Sequence, residues 1–288
     1  MNRLAKACLS LAFVAAAVAA LPGCNGARDT ALNMVGQNGE KVGFNIKTLT
    51  RGDRVRKYGL FVPLNYKADH SYPVIVFLHG MGEGGGDARK NMTVGLAPFV
   101  ADRAGEFPFI CIFPQSESGG WNENSQAAQD IFTALDDVSK QYNVNRDMVS
   151  LTGLSTGGYG TWAIGATHAD VFAALVPMGS NAQCAQYVDK LKNMPIKSYH
   201  NGGDPFAAVW NDETMCNKVN AAGGHADFTR TNDGGHDCWD GVYADGELFT
   251  WLLQQHRRPA ARTSAATVAP AQANAGVKSN AAVSVTPY

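Results

Sequence analysis

Short uninterrupted apolar runs, separated by longer amphipathic ones, constrain this chain more than any other feature. Val74-Ile75-Val76-Phe77-Leu78 has no polar alternation, so it reads as a strand covered on both faces. Residues 109–113, 148–152, 173–177, 196–200 and 228–231 read as further strands. Helical patterns occupy 87–103, 125–142, 158–166, 206–221 and 243–255. Within 125–142, Ala128, Ile131, Phe132, Leu135 and Val138 recur at helical spacing. Two strands, 42–49 and 58–66, come first and read as a hairpin or meander around Arg51-Gly52-Asp53. An opening strand pair followed by strand–helix units predicts the α/β class. The expected architecture is a doubly wound, mainly parallel sheet with antiparallel N-terminal strands.

The ends differ in kind from this unit. Arg3 and Lys6 precede an apolar stretch over 9–20, shorter than the roughly 20 residues a spanning helix needs. It closes on Leu21-Pro22-Gly23-Cys24, which resembles a bacterial lipobox with Cys24 as the lipidated residue. The expectation is a signal peptide over 1–23 and an exported lipoprotein held to the cell envelope through Cys24. Asn25 after the cysteine leans towards the outer membrane in a Gram-negative host. Residues 24–41 read as a flexible tether, 42–256 as the catalytic domain and 257–288 as a disordered Ala-rich tail. A formal net charge of −1 gives no basic excess to hold nucleic acid.

Of six cysteines, Cys111, Cys184, Cys216 and Cys238 fall in the domain. Cys111 lies in an apolar run and reads as a buried thiol. The other three each follow a predicted strand, so one disulfide among them is expected in an exported protein. No Cys or His spacing suggests zinc, and no metal is expected.

Gly153-Leu154-Ser155-Thr156-Gly157 fits G-x-S-x-G between a predicted strand and helix. That setting thrusts a serine out at the carboxyl end of a sheet. The glycines two residues either side leave room for a strained turn. Ser155 is the candidate nucleophile. Acyl transfer also needs N–H donors aimed at the developing oxyanion. Thr156 supplies one at the start of the helix. The second is assigned to Met81, in the His79-Gly80-Met81-Gly82-Glu83-Gly84-Gly85-Gly86 loop after the 74–78 strand. His79 reads as orienting that loop. The loop lacks the Gly-Lys-Ser/Thr ending of a phosphate-binding loop and the spacing of a dinucleotide site.

Base and acid are expected after the nucleophile, on loops at the carboxyl ends of strands. His225 precedes the last strand, and His256 ends the closing helix. His200 precedes any good acid. His236 follows the last strand and is the candidate base. Asp204, in His200-Asn201-Gly202-Gly203-Asp204-Pro205, is the candidate acid, though Asp before Pro also suits a helix cap. Asp212, Asp233 and Asp237 are the alternatives.

These motifs together resemble the α/β-hydrolase superfamily over about residues 55–256. Leu78-His79-Gly80-Met81-Gly82-Glu83, the 153–157 pentapeptide and Gly234-Gly235-His236-Asp237-Cys238-Trp239 resemble bacterial esterases related to polyhydroxybutyrate depolymerases, feruloyl esterases and so-called predicted peptidases. The resemblance implies a cofactor-free carboxylic ester hydrolase working through an acyl-enzyme. One position departs from it. The acid loop often reads His-Gly-x-x-Asp, whereas Asn201 follows His200 here. The 179–195 stretch is too short for a large lid, so an open site for bulky or polymeric esters is expected. Trp121 and Trp239 are candidate substrate-lining residues. A peptidase of the same superfamily is the first competing reading, but the 42–256 unit leaves no room for an appended substrate-positioning domain. A non-catalytic envelope lipoprotein is the second.

Overall fold

The computed structural model describes residues 34–35, 41–51, 53–231 and 234–257. The apolar leader, Cys24 and the Ala-rich tail lie outside the described residues, as does Asp233. Among the described residues no helix is long and apolar enough to cross a membrane.

Nine strands form one sheet: β1 (Met34–Val35), β2 (Lys41–Arg51), β3 (Arg54–Val62), β4 (Tyr72–Leu78), β5 (Ile110–Phe113), β6 (Val144–Leu154), β7 (Ala174–Met178), β8 (Ile196–His200) and β9 (Ala226–Arg230). Their spatial order is β1-β2-β3-β5-β4-β6-β7-β8-β9. The three N-terminal strands run antiparallel down to the β3–β5 pair. From β5 to β9 every pairing is parallel. The expected mainly parallel sheet with an antiparallel edge is therefore present. The strand β1 falls inside the stretch expected to be a tether.

Among the described residues six α-helices cover the two faces: α1 (Leu96–Asp102), α2 (Gln126–Gln141), α3 (Thr156–Thr167), α4 (Trp210–Ala221), α5 (Trp239–Ala244) and α6 (Gly246–Leu252). Strand β4 shows why its run is unbroken. Val74, Val76 and Leu78 pack with residues of α2, α3 and α4. Ile75 and Phe77 pack with residues of α1, α5 and α6 on the other face. All five are 0% exposed, so each is worth on the order of 1.5–3 kcal/mol of burial. Helix α2 starts where Ser125 accepts a hydrogen bond from the Ala128 N–H (3.2 Å).

Three helical expectations need correction. Residues 87–103 do not form one helix. A 3₁₀ turn (Lys90–Met92) comes first, and α1 begins only after Gly95, whose φ of +59° breaks the helical path. A Cβ there would lie 2.8 Å from Leu154 Cδ2 and 2.9 Å from the Phe77 ring. The 206–221 helix begins at Trp210, because the Asp204 side chain holds the preceding residues in a turn. The closing helix is two, split at Asp245, which is extended and caps the second through the Glu247 N–H (2.9 Å).

The expected disulfide is absent. Cys111, Cys184, Cys216 and Cys238 are all buried free thiols. Cys184 and Cys216 pack on one face of the sheet and Cys238 on the other. Burial pushes each of these three thiols up to about 12.

Candidate active site

Four parallel strands end side by side, and each is followed by a segment bearing a site residue: Ser155 after β6, Gly179 after β7, Asp204 after β8 and His236 after β9. Ser155 adopts φ 55° and ψ −119°, a conformation L-residues avoid. Its N–H donates to the Met178 carbonyl (2.9 Å), tying the turn to the end of β7. The flanking glycines are steric necessities. A Cβ on Gly157 would lie 2.0 Å from the Leu78 carbonyl oxygen, and one on Gly153 2.4 Å from that of Gly157. Below the turn, Thr152 Oγ1 sits 2.8 Å from the buried Tyr243 hydroxyl.

His236 faces Asp204 through Nδ1, at 2.6 Å from Oδ2. The His236 side chain is 21% exposed and that of Asp204 0%. The two carboxylate oxygens of Asp204 divide their work. Oδ1 accepts the backbone N–H groups of Phe206 (2.8 Å) and Ala207 (3.0 Å). Oδ2 is left for imidazoles. The cap and the acid readings of Asp204 thus use different oxygens. Burial raises the Asp204 carboxyl, but the Ala207, His236 and Phe206 donors outweigh it and hold the group below its usual range. Gly179 brings β7 up to His236: a Cβ there would lie 3.4 Å from Trp239 and 3.7 Å from His236 Cε1. Ser155 and His236 are not hydrogen-bonded in this structure; such bonds commonly tighten when substrate binds.

The loop after β4 reaches the same place. A Cβ on Gly80 would lie 3.4 Å from Ser155 Cβ. His79 is 0% exposed. Its Nε2 accepts the Ser116 N–H (3.0 Å), so Nδ1 carries the proton and donates to the Gly80 carbonyl (2.7 Å). A ring nitrogen that accepts belongs to a neutral imidazole, and burial holds this one below its ordinary value. Met81 opens a 3₁₀ turn and Thr156 opens α3. Neither backbone N–H has a protein acceptor among the described residues. Gly119 joins them. Its carbonyl accepts from Thr156 Oγ1 (2.6 Å), and its Cα packs so closely on Met81 that a Cβ would meet Met81 Cα at 2.6 Å. Among the described residues, no group of three His, Cys, Asp or Glu is arranged to hold a metal ion.

The prolyl oligopeptidase family profile matches residues 116–222, which include Ser155 and Asp204. A thermostable esterase of known structure is 25% identical, with a TM-score of 0.68, covering 77% of this chain and 69% of its own. The chain belongs to the α/β-hydrolase superfamily. A ferulic acid esterase shares the fold at 22% identity and a TM-score of 0.59, over 73% of this chain and 95% of that one. So does an acylaminoacyl peptidase of Pyrococcus horikoshii, at 15% identity and a TM-score of 0.57, over 75% of this chain and 42% of that one. No curated protein sequence matches the chain.

Two aromatic residues of this α/β-hydrolase depart from expectation. Trp121, expected to line substrate, is 1% exposed. Its indole N–H donates to the His79 carbonyl (2.8 Å), and its Cβ lies where a side chain on Gly160 would need to be. Trp121 is a core residue that supports the loop after β4. Phe206, which sequence reasoning passed over, is 80% exposed with its ring 5.4 Å from that of His236. Trp239 stands on the same imidazole, edge-on at 5.1 Å. An apolar residue two positions after the candidate acid was the available signal for Phe206. Asn201 was also passed over as a working residue. Its amide donates to the carbonyls of Gly235 and Asp237, both at 2.8 Å.

Proposed function

We propose that this α/β-hydrolase is a serine carboxylesterase. The observation that carries this is the buried Asp204 carboxylate held 2.6 Å from His236 Nδ1, at the same end of the sheet as a serine at positive φ. Ser155 Oγ attacks the ester carbonyl while His236 Nε2 takes its proton. Asp204 fixes the tautomer and stabilises the imidazolium. The N–H groups of Met81 and Thr156 receive the oxyanion. His236 returns the proton to the leaving alcohol, and water, activated by the same imidazole, releases the acid from acyl-Ser155.

Esters are favoured over peptides because the chain spans 95% of the ferulic acid esterase but 42% of the acylaminoacyl peptidase. The exposed Phe206 and the half-buried Trp239, both in ring contact with His236, favour aryl or polyester substrates on an open surface. The prolyl oligopeptidase match over 116–222 supports the second reading, a serine peptidase.

The test is Ser155→Ala, assayed on p-nitrophenyl acetate, p-nitrophenyl butyrate, a feruloyl ester, a polyester film and an acyl-amino-acid anilide. Loss of the nucleophile lowers kcat by about 10⁶. Unchanged ester hydrolysis overturns the assignment. Faster turnover of the anilide than of every ester selects the peptidase reading.

A further inference from the structure

Behind the acid stands a second imidazole. His200, the last residue of β8, is 0% exposed. Its Nδ1 lies 2.7 Å from Asp212 Oδ2, on α4. Its Nε2 lies 3.0 Å from the Ala207 carbonyl and 3.1 Å from Asp204 Oδ2, the oxygen that also faces His236. Side-chain exposure of His200, Asp204 and Asp212 is 0% throughout.

The proton inventory decides the charge of this ring. Asp212 Oδ1 accepts the Trp162 indole N–H (2.8 Å) and the Ser180 hydroxyl (2.5 Å), and Oδ2 accepts the Ser180 N–H (2.8 Å). Asp204 accepts two backbone N–H groups and His236. The oxygens of both carboxylates are thus acceptors, each already facing donors. Each nitrogen of His200 then faces only acceptors, so both must carry protons. Burial works against a charge on His200, but the Asp212 bond and charge, the Ala207 carbonyl and Asp204 outweigh it and hold the imidazole above its ordinary value. The other groups on this ring and on Asp212 are accounted for. The Cys184, Cys216 and Cys238 thiols are neutral, pushed up to about 12 by burial. Arg230, register-paired with His200 on β9, is exposed.

We propose that His200, kept as a buried imidazolium by Asp212, is a positioning residue that holds Asp204 Oδ2 against His236. This rests on the esterase reading of Ser155, Asp204 and His236. The Phe206 and Ala207 N–H groups hold Oδ1, so Oδ2 is the oxygen that could still swing away from His236. One gripped by a fixed cation behind it cannot, short of breaking a buried ion pair. The cation also lets two carboxylates share a dry space without either taking a proton. A positive charge behind Asp204 also acts on the charge that develops at His236 during the reaction, so its removal is read in the pH profile of turnover.

The experiment compares wild type, His200→Gln, which keeps a donor without charge, and Asp212→Asn, which removes the anion that holds the proton. Steady-state kinetics on p-nitrophenyl butyrate are measured across pH, with circular dichroism to count folded protein. The expected result is a kcat lower by roughly 10- to 100-fold per folded molecule with KM within about twofold. The acid limb of kcat/KM moves up by roughly half a pH unit to one unit. A residue that merely fills the core would lower activity only with folded fraction and leave the limb in place, and that result overturns the proposal. If neither variant folds, nitrogen-15 spectra of histidine-labelled wild type decide. A buried ring with both nitrogens protonated from about pH 6 to 8 supports the proposal, and a neutral ring overturns it. Ser155→Ala runs alongside: retained hydrolysis there sinks the esterase reading itself, whatever His200 does.

Discussion

Asn201 fixes the backbone on either side of His236. One amide nitrogen donates to the carbonyls of Gly235 and Asp237, each at 2.8 Å, and the Asn201 oxygen accepts from the Thr231 hydroxyl. This is the position at which the acid loop departs from the esterase pattern it otherwise resembles. The departure has a use, since it ties the loop of the base to the strand that leads to the acid. Asn201→Gly is expected to lower kcat by roughly 10- to 100-fold while KM stays within about twofold. Steady-state kinetics on p-nitrophenyl butyrate check this. A kcat equal to wild type would show that the loop holds without the amide.

Gly119 offers a test of the two proposed oxyanion donors that leaves Ser155 alone. A Cβ at φ +74° and 2.6 Å from Met81 Cα must displace the turn. Gly119→Ala should lower kcat by about 10²–10³, the cost of losing one donor. Met81→Ala, by contrast, changes a side chain that is 64% exposed and keeps the N–H. It should leave kcat on small esters within about twofold. Equal losses in both variants would place the donor elsewhere.

Stability should respond to pH through Asp204 and through His200, with opposite signs. The folded value of Asp204 is lowered. Its contribution is present above its unfolded value, near 3.9, and is lost as pH falls through the folded value. The folded value of His200 is raised. Its contribution is complete below about 6.5 and is lost as pH rises through the folded value. Urea melts from about pH 3 to 9 should show both slopes in wild type, and only the acidic one in His200→Gln. An alkaline slope that survives in the variant assigns it to another group.

The sheet and the nucleophile turn were legible because local sterics dictate both. Fully apolar runs have no other home than between two helix layers, and only glycine fits at 153 and 157. Asp204 was within reach because β8 could be bounded at Ile196–His200 from its own residues. What was not legible depends on the relative phase of distant elements. Asp212 meets His200 only because α4 begins at Trp210, and that start depends on a turn made by Asp204 itself. Trp121 could not be told from a surface aromatic until the loop after β4 was seen to lie over it. The 87–103 helix failed at Gly95, where the close approach of Leu154 and Phe77 is a tertiary fact.

The anchor proposed at Cys24 has its own test. Cys24→Ala should abolish incorporation of labelled fatty acid and release the protein from the membrane fraction, with esterase turnover per molecule unchanged. Retention at the membrane without label would point to another means of attachment.

The four thiols of the domain are buried and unbridged. No disulfide among these four residues has to form for the described fold to be reached. The catalytic unit should mature identically in the reducing interior of an expression host and beyond an inner membrane, and mild reductants added to an assay or a formulation should leave its half-life untouched.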